Sequence, residues 1–170
     1  MRSLTAFVFL IFFTNAWSQK CHYLINKVSG MDSSRLVITE PVNLSKDFGV
    51  GSVDVWSTIY GDTSLVLAFV FNVKENFPVK QGDRIYINFM DGEEMVLEIF
   101  QKPVLKSEGK EKLLTTLTSV EGSALEALRN QQVRGISVHF GNAVVGGTTL
   151  KKNQTTAIQT TVNCVIEYLH

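Results

Sequence analysis

The chain reads as an α+β protein, mainly antiparallel sheet, with a short helix after the central hairpins and a C-terminal helix packed on the sheet. Three observations predict this. Residues 53–60, VDVWSTIY, alternate Val53, Val55, Ser57 and Ile59 against Asp54, Trp56, Thr58 and Tyr60, the two-residue period of a half-buried strand. Residues 65–73, LVLAFVFNV, are apolar on both faces, with Asn72 the one polar side chain, as suits a strand in the middle of a sheet covered on two sides. Residues 122–130, GSALEALRN, switch to helical spacing, with Leu125 and Leu128 on one face and Ser123 and Glu126 placed as a capping box.

Taken in order, residues 1–18, MRSLTAFVFLIFFTNAWS, have a basic start at Arg2, an apolar run from Leu4 to Phe13 and small residues about Ala16 and Ser18. That is the plan of a secretory signal peptide. The apolar run is about ten residues, half of the roughly 20 that a membrane-spanning helix needs. Cleavage after Ser18 leaves Gln19 first and residues 19–170 as a single exported domain, secreted or periplasmic. Lys20 immediately before Cys21 does not fit the small residue that precedes a lipidated cysteine.

Cys21 and Cys164 are the two cysteines, and an even count in an exported chain favours a bridge. Such a bridge closes nearly the whole domain and stabilises it by up to about 5 kcal/mol on the chain-entropy view. Two separate buried thiols are the alternative, because bridging requires Cα atoms within about 7 Å.

The whole chain has 16 basic and 16 acidic residues; loss of Arg2 with the signal peptide leaves 15 against 16, a net charge of −1. A balance of this kind carries no electrostatic footprint for nucleic acid or an anionic membrane. Pro41, Pro78 and Pro103 each fall where a strand or loop would begin or end.

After the strands at 53–60 and 65–73, joined by a turn at 61–64, comes INFMDGEEMVLEI (87–99). A two-residue Asp91-Gly92 loop would place Glu94 and Glu98 on the apolar face of Ile85, Ile87 and Phe89. A three-residue loop, with Gly92 left-handed in a G1 bulge, instead puts Met95, Leu97 and Ile99 on that face and sets Arg84 opposite Glu98. The bulged register is therefore the expected one, by about 0.2–1 kcal/mol from the charge pair alone. The acidic tip of Asp91, Glu93 and Glu94 then reads as a wet turn, since it lacks the alternating oxygens of a calcium loop.

QKPVLKSEGKEK (101–112) reads as a solvated loop or a charge-protected edge strand. EKLLTTLTSV (111–120) is a further strand. After the capped helix, which should stop near Asn130, a strand over Val133–Phe140 is expected to turn Ile136, Val138 and Phe140 against Ser137 and His139. A short strand over 143–150 pairs with it. In the tail, Ile158, Val162, Val165, Ile166 and Leu169 fall within a helical arc of about 100°. A strand reading of 153–169 also alternates, but only the helix accounts for Val165 and Leu169.

The order of pieces, with VKQGDRIYINFMDGEEMVLEI, VRGISVHFG and LKKNQTTAIQTTVNCVIEYL as its markers, resembles small exported α+β proteins of the Bacteroidota type over roughly residues 50–169. The resemblance implies a helical tail. It brings no functional residue with it.

Catalytic motifs do not stand out. FGVGSVD (48–54) is the nearest string to a nucleophile elbow, and His22, His139 and His170 are scattered, with His139 expected on the wet face of its strand. FGNAVVGGTTLKK (140–152) lacks the Gly-Lys-Ser/Thr of a phosphate loop, so its glycines read as hairpin glycines. No catalytic, metal or cofactor site is therefore assigned, and no cofactor is expected.

Trp56 and Tyr60 are the candidate binding residues, with Asp54 beyond them and Thr58 between. Four residues apart on one strand, the rings would stand about 13 Å apart on one side. Such a row can stack on a sugar or on a partner's apolar surface. The plainer alternative, favoured by the usual burial of Trp and Tyr, is that both cover the sheet beneath a helix. These readings point to a non-catalytic exported module with a protein or carbohydrate partner. A hydrolase using Asp54 or another surface carboxylate, and an inhibitor-like partner protein, are the alternatives.

Overall fold

A computed structural model describes residues 21–28, 35–48, 51–60, 64–73, 78–109 and 111–168. The expected signal peptide, the turn at 61–63 and Leu169 lie outside these residues. Among the described residues eleven strands and two helices follow one another as β1 (Tyr23–Val28), β2 (Arg35–Thr39), β3 (Val42–Ser45), β4 (Gly51–Tyr60), β5 (Ser64–Val73), β6 (Arg84–Phe89), β7 (Glu94–Glu98), β8 (Val104–Glu108), β9 (Glu111–Val120), α1 (Gly122–Asn130), β10 (Val133–Phe140), β11 (Ala143–Thr149) and α2 (Ala157–Ile166). The fold is thus a sheet-rich α+β arrangement in which every strand pairing is antiparallel.

The larger sheet has seven strands in the order β1-β2-β4-β5-β9-β8, with β3 also on β4; the smaller has four in the order β11-β10-β6-β7. β5 lies between β4 and β9, which explains its apolar composition: Leu65, Leu67, Phe69 and Phe71 point into the core, while Val66 and Ala68 are buried on the other side. The two sheets meet along both sides. On one, Ile99 bridges Thr118, and the Phe100 N–H donates to the Leu117 carbonyl at 3.1 Å. On the other, the Gly147 N–H donates to the Phe48 carbonyl at 3.1 Å, beside a Ser45–Thr148 hydroxyl contact of 3.1 Å.

Between them lies one core. Val53, Val55, Phe69 and Phe71 from the larger sheet meet Ile85, Ile87, Leu97, Ile136 and Val138 from the smaller, with Phe48 filling the end. The Phe48 and Phe71 ring centroids are 5.1 Å apart. Gly146 makes room for that ring: a Cβ there would stand 2.6 Å from the Phe48 Cε1. α2 supplies Ile158, Val162 and Val165 and α1 supplies Leu128 to this same core, so both helices share the inner side with the smaller sheet. α2 runs against β4, β2, β3 and β5 there.

The β6–β7 hairpin takes the bulged register. Arg84 opposes Glu98, Ile87 opposes Met95, and the Phe89 N–H donates to the Glu93 carbonyl at 2.9 Å. Gly92 has φ +95°, a conformation that costs an L side chain about 1–2 kcal/mol. Asp91 accepts from the Glu93 N–H at 3.0 Å, so its carboxylate serves the turn. β8 is an edge strand, with its Val104 and Leu105 exposed.

The Cys21–Cys164 bridge is present, with Cα atoms 5.5 Å apart across a separation of 143 residues. It ties the residues before β1 to α2, and the Tyr23 hydroxyl reinforces the tie by donating to the Cys164 carbonyl at 2.9 Å.

Two expectations are corrected. Ser123 and Glu126 form no capping box: the helix is preceded by Glu121 with no side-chain cap. Glu126 turns along the helix to Arg129 at 3.7 Å and Asn130 at 3.3 Å. The chain enters α1 two residues earlier than a Ser123 cap needs because Glu121 is held by the Ser64 and Ser119 hydroxyls at 3.0 and 3.3 Å. Phe140 is exposed rather than inward, because β6 begins at Arg84 opposite His139 and leaves nothing for Phe140 to pack under. Its ring instead lies 5.0 Å from the Lys80 ammonium.

Candidate functional site

The two helices and the smaller sheet all occupy one side of the larger sheet, which leaves the outer face of β4, β5 and β9 without a covering layer among the described residues. Pairing along these 10-residue strands arranges that face in rows: Ser52–Asn72–Leu113, Asp54–Val70–Thr115, Trp56–Ala68–Leu117 and Thr58–Val66–Ser119. Trp56 is half-buried and belongs to none of the side chains packed on the central core. Ala68 is fully buried between Trp56 and Leu117, so the indole and the leucine close over the small residue that separates them. Both described helices pack on the opposite face, so neither of them covers Trp56.

Asp54 stands next to Trp56 along β4. Asn43 of β3, directly across, donates to its Oδ1 at 2.7 Å, which fixes the carboxylate and leaves its other oxygen for a further donor. Thr58 on the far side of Trp56 donates to the Val37 carbonyl at 2.7 Å, a bond that helps hold β2 to β4 where the backbone pairing is limited to Ile38 and Thr58. Tyr60 pairs with Ser64 at the strand end; its side chain lies outside the described residues. Within these rows the polar side chains are amides and hydroxyls with Asp54 as the one carboxylate, and the Glu121 carboxylate joins the edge of the face through Ser119 at 3.3 Å.

Asp54 has Val70 and Thr115 across the strands, so no second carboxylate stands in its row. Among the described residues no group of three or more His, Cys, Asp or Glu side chains gathers as a metal site would. His139 lies half-buried on the outer face of the smaller sheet, with its ring centroid 3.9 Å from that of Tyr86 and its Nε2 3.1 Å from the Ser137 Oγ. The pair follows from the i, i+2 spacing of a strand, a signal present in VRGISVHF but not drawn out. A serine–histidine contact alone, with no carboxylate on the other ring nitrogen among the described residues, lacks the third group that orients a base.

Among the described residues no helix is long and apolar enough to cross a membrane. Comparison with protein-family models, with curated proteins and with solved structures finds no match to this chain.

Proposed function

We propose that the chain is a non-catalytic, exported carbohydrate-binding module that reads an uncharged glycan across the outer face of its larger sheet. The observation that carries this reading is a half-exposed indole on a sheet face that neither described helix covers, with Ala68 and Leu117 in its own row, and Asp54, Thr58, Asn72 and Thr115 as polar side chains in the rows to either side of it. An indole offers its π face to the C–H edge of a sugar ring, and uncharged hydrogen-bonding neighbours suit sugar hydroxyls. Asp54, oriented by Asn43, acts as the acceptor for a hydroxyl beside the stacked ring. Export rests on the signal-peptide pattern of residues 1–18, and a disulfide joining the two ends of the mature domain suits an oxidising compartment.

The test is co-sedimentation of the mature chain with cellulose, chitin, xylan and mannan, followed by Trp56→Ala. Retention on at least one polymer, lost in the variant while the melting temperature moves by less than about 2 °C, supports the reading. Failure to bind any of them overturns it. So does a large fall in melting temperature that accompanies the loss, because it would make Trp56 a packing residue.

A further inference from the structure

A second site lies on the other sheet. Where β10 passes β6 the register slips: Val133 opposes Phe89 and Gly135 opposes Asn88, so Arg134 is the extra residue of a β-bulge. Bulges turn a side chain out of the regular alternation. Gly135 is required at this point, since a Cβ would lie 2.7 Å from the Thr148 carbonyl oxygen. Asn88, Gly135 and Thr149 form one cross-strand row, and with Gly92, Arg134 and neighbouring backbone they line an open depression of about 250 Å³.

Three polar groups there are unengaged. The Arg134 guanidinium, the Asn88 amide and the Thr149 hydroxyl have no side-chain partner among the described residues. Among the described residues Arg134 forms no ion pair with the hairpin acids: Glu93 accepts from Gln131 at 3.3 Å, and Glu94 stands opposite Asn88 on the same side of the strand pair. Their negative charge at the rim disfavours a dianion, whereas a single guanidinium forks onto one carboxylate with two parallel hydrogen bonds. The depression lies below the 300–1,000 Å³ usual for drug-sized ligands.

The geometry points to this depression as a binding site for a small, hydroxylated monocarboxylate of about monosaccharide size, held by Arg134 at its carboxylate and by Asn88 and Thr149 at its hydroxyls. It lies on the smaller sheet, so it stands or falls apart from the Trp56 face. The probe is D-glucuronate, added to the isotope-labelled mature chain with D-glucose and inorganic phosphate as comparisons, while the backbone amides of Asn88, Gly92, Gly135 and Thr149 are followed by NMR.

Saturable shifts of these amides with glucuronate, and little response to the other two, are expected. Arg134→Gln should weaken glucuronate binding about tenfold or more, and Asn88→Ala, which leaves the bulge intact, by several-fold. Absence of shifts with glucuronate would overturn the site. Equal shifts with phosphate would reduce it to non-selective anion attraction, and equal shifts with glucose would remove the role of the carboxylate; either result contradicts the assignment. Unchanged affinity in both variants does so as well.

Discussion

Tyr23 shows how one side chain secures the two ends of the chain to each other. Its hydroxyl donates to the Cys164 carbonyl at 2.9 Å and lies 3.3 Å from Glu167, while the Tyr168 ring meets its own edge-on with centroids 6.2 Å apart. Burial first, then the neighbouring Tyr168 and Glu167, push its phenol well above the ordinary value near 10. Because the folded state resists ionisation, the stabilisation is fully present below about pH 10 and is lost as pH rises beyond it. Stability should therefore fall above pH 10 more steeply in the wild type than in Tyr23→Phe, which gives up about 1 kcal/mol at neutral pH with the hydrogen bond. Urea midpoints measured at pH 7 and pH 10.5 check both statements. Gly146 makes the complementary case of a missing side chain. Gly146→Ala puts a methyl into the Phe48 ring, and the expected loss is about 1–3 kcal/mol, read from the same urea titration.

Among the elements, the β6–β7 hairpin was the most legible in the sequence. Placing Glu94 and Glu98 inward would desolvate two charges, so only the register with a left-handed Gly92 is consistent with the alternation of Ile85, Ile87 and Phe89. Gly92→Ala should accordingly cost about 1–2 kcal/mol and reduce hydrogen-exchange protection in β6 and β7 before that in β5. β5 was legible as a central strand, but its two apolar faces also predicted cover on both sides, and among the described residues a layer lies on one side alone. The start of α1 was not legible, because the serine hydroxyls that hold Glu121 come from β9 and, 57 residues away, from β5, and no local pattern carries that contact. Phe140 failed for a similar reason: alternation says which side of a strand a residue takes, not where its neighbouring strand begins. The Trp56 row was legible as a row, but its exposure depends on which side of the sheet the helices choose. The bulge at Arg134 marks the sequence only as a phase shift, Val133 and Ile136 both being buried although three residues apart.

At the scale of the whole molecule, a chain with a sizeable core has put both helices and its smaller sheet on one side of a seven-stranded sheet. An antiparallel sheet tolerates a solvated face where a parallel one does not. The bridge from Cys21 to Cys164 constrains a loop of nearly the full domain, and removing it as the Cys21→Ala/Cys164→Ala pair should lower stability by about 2–5 kcal/mol without altering the larger sheet. The central claim is that the outer face of that sheet is open for binding. Trp17 and Trp56 are the two tryptophans of the chain, so a chain beginning at Gln19 has Trp56 as its single tryptophan, which long-wavelength excitation selects over the tyrosines. Acrylamide quenching of that chain tests the claim most directly. An open face predicts an emission to the red of a buried indole and ready quenching, with protection appearing on addition of a bound glycan. A blue emission that acrylamide cannot reach in the free protein would contradict it.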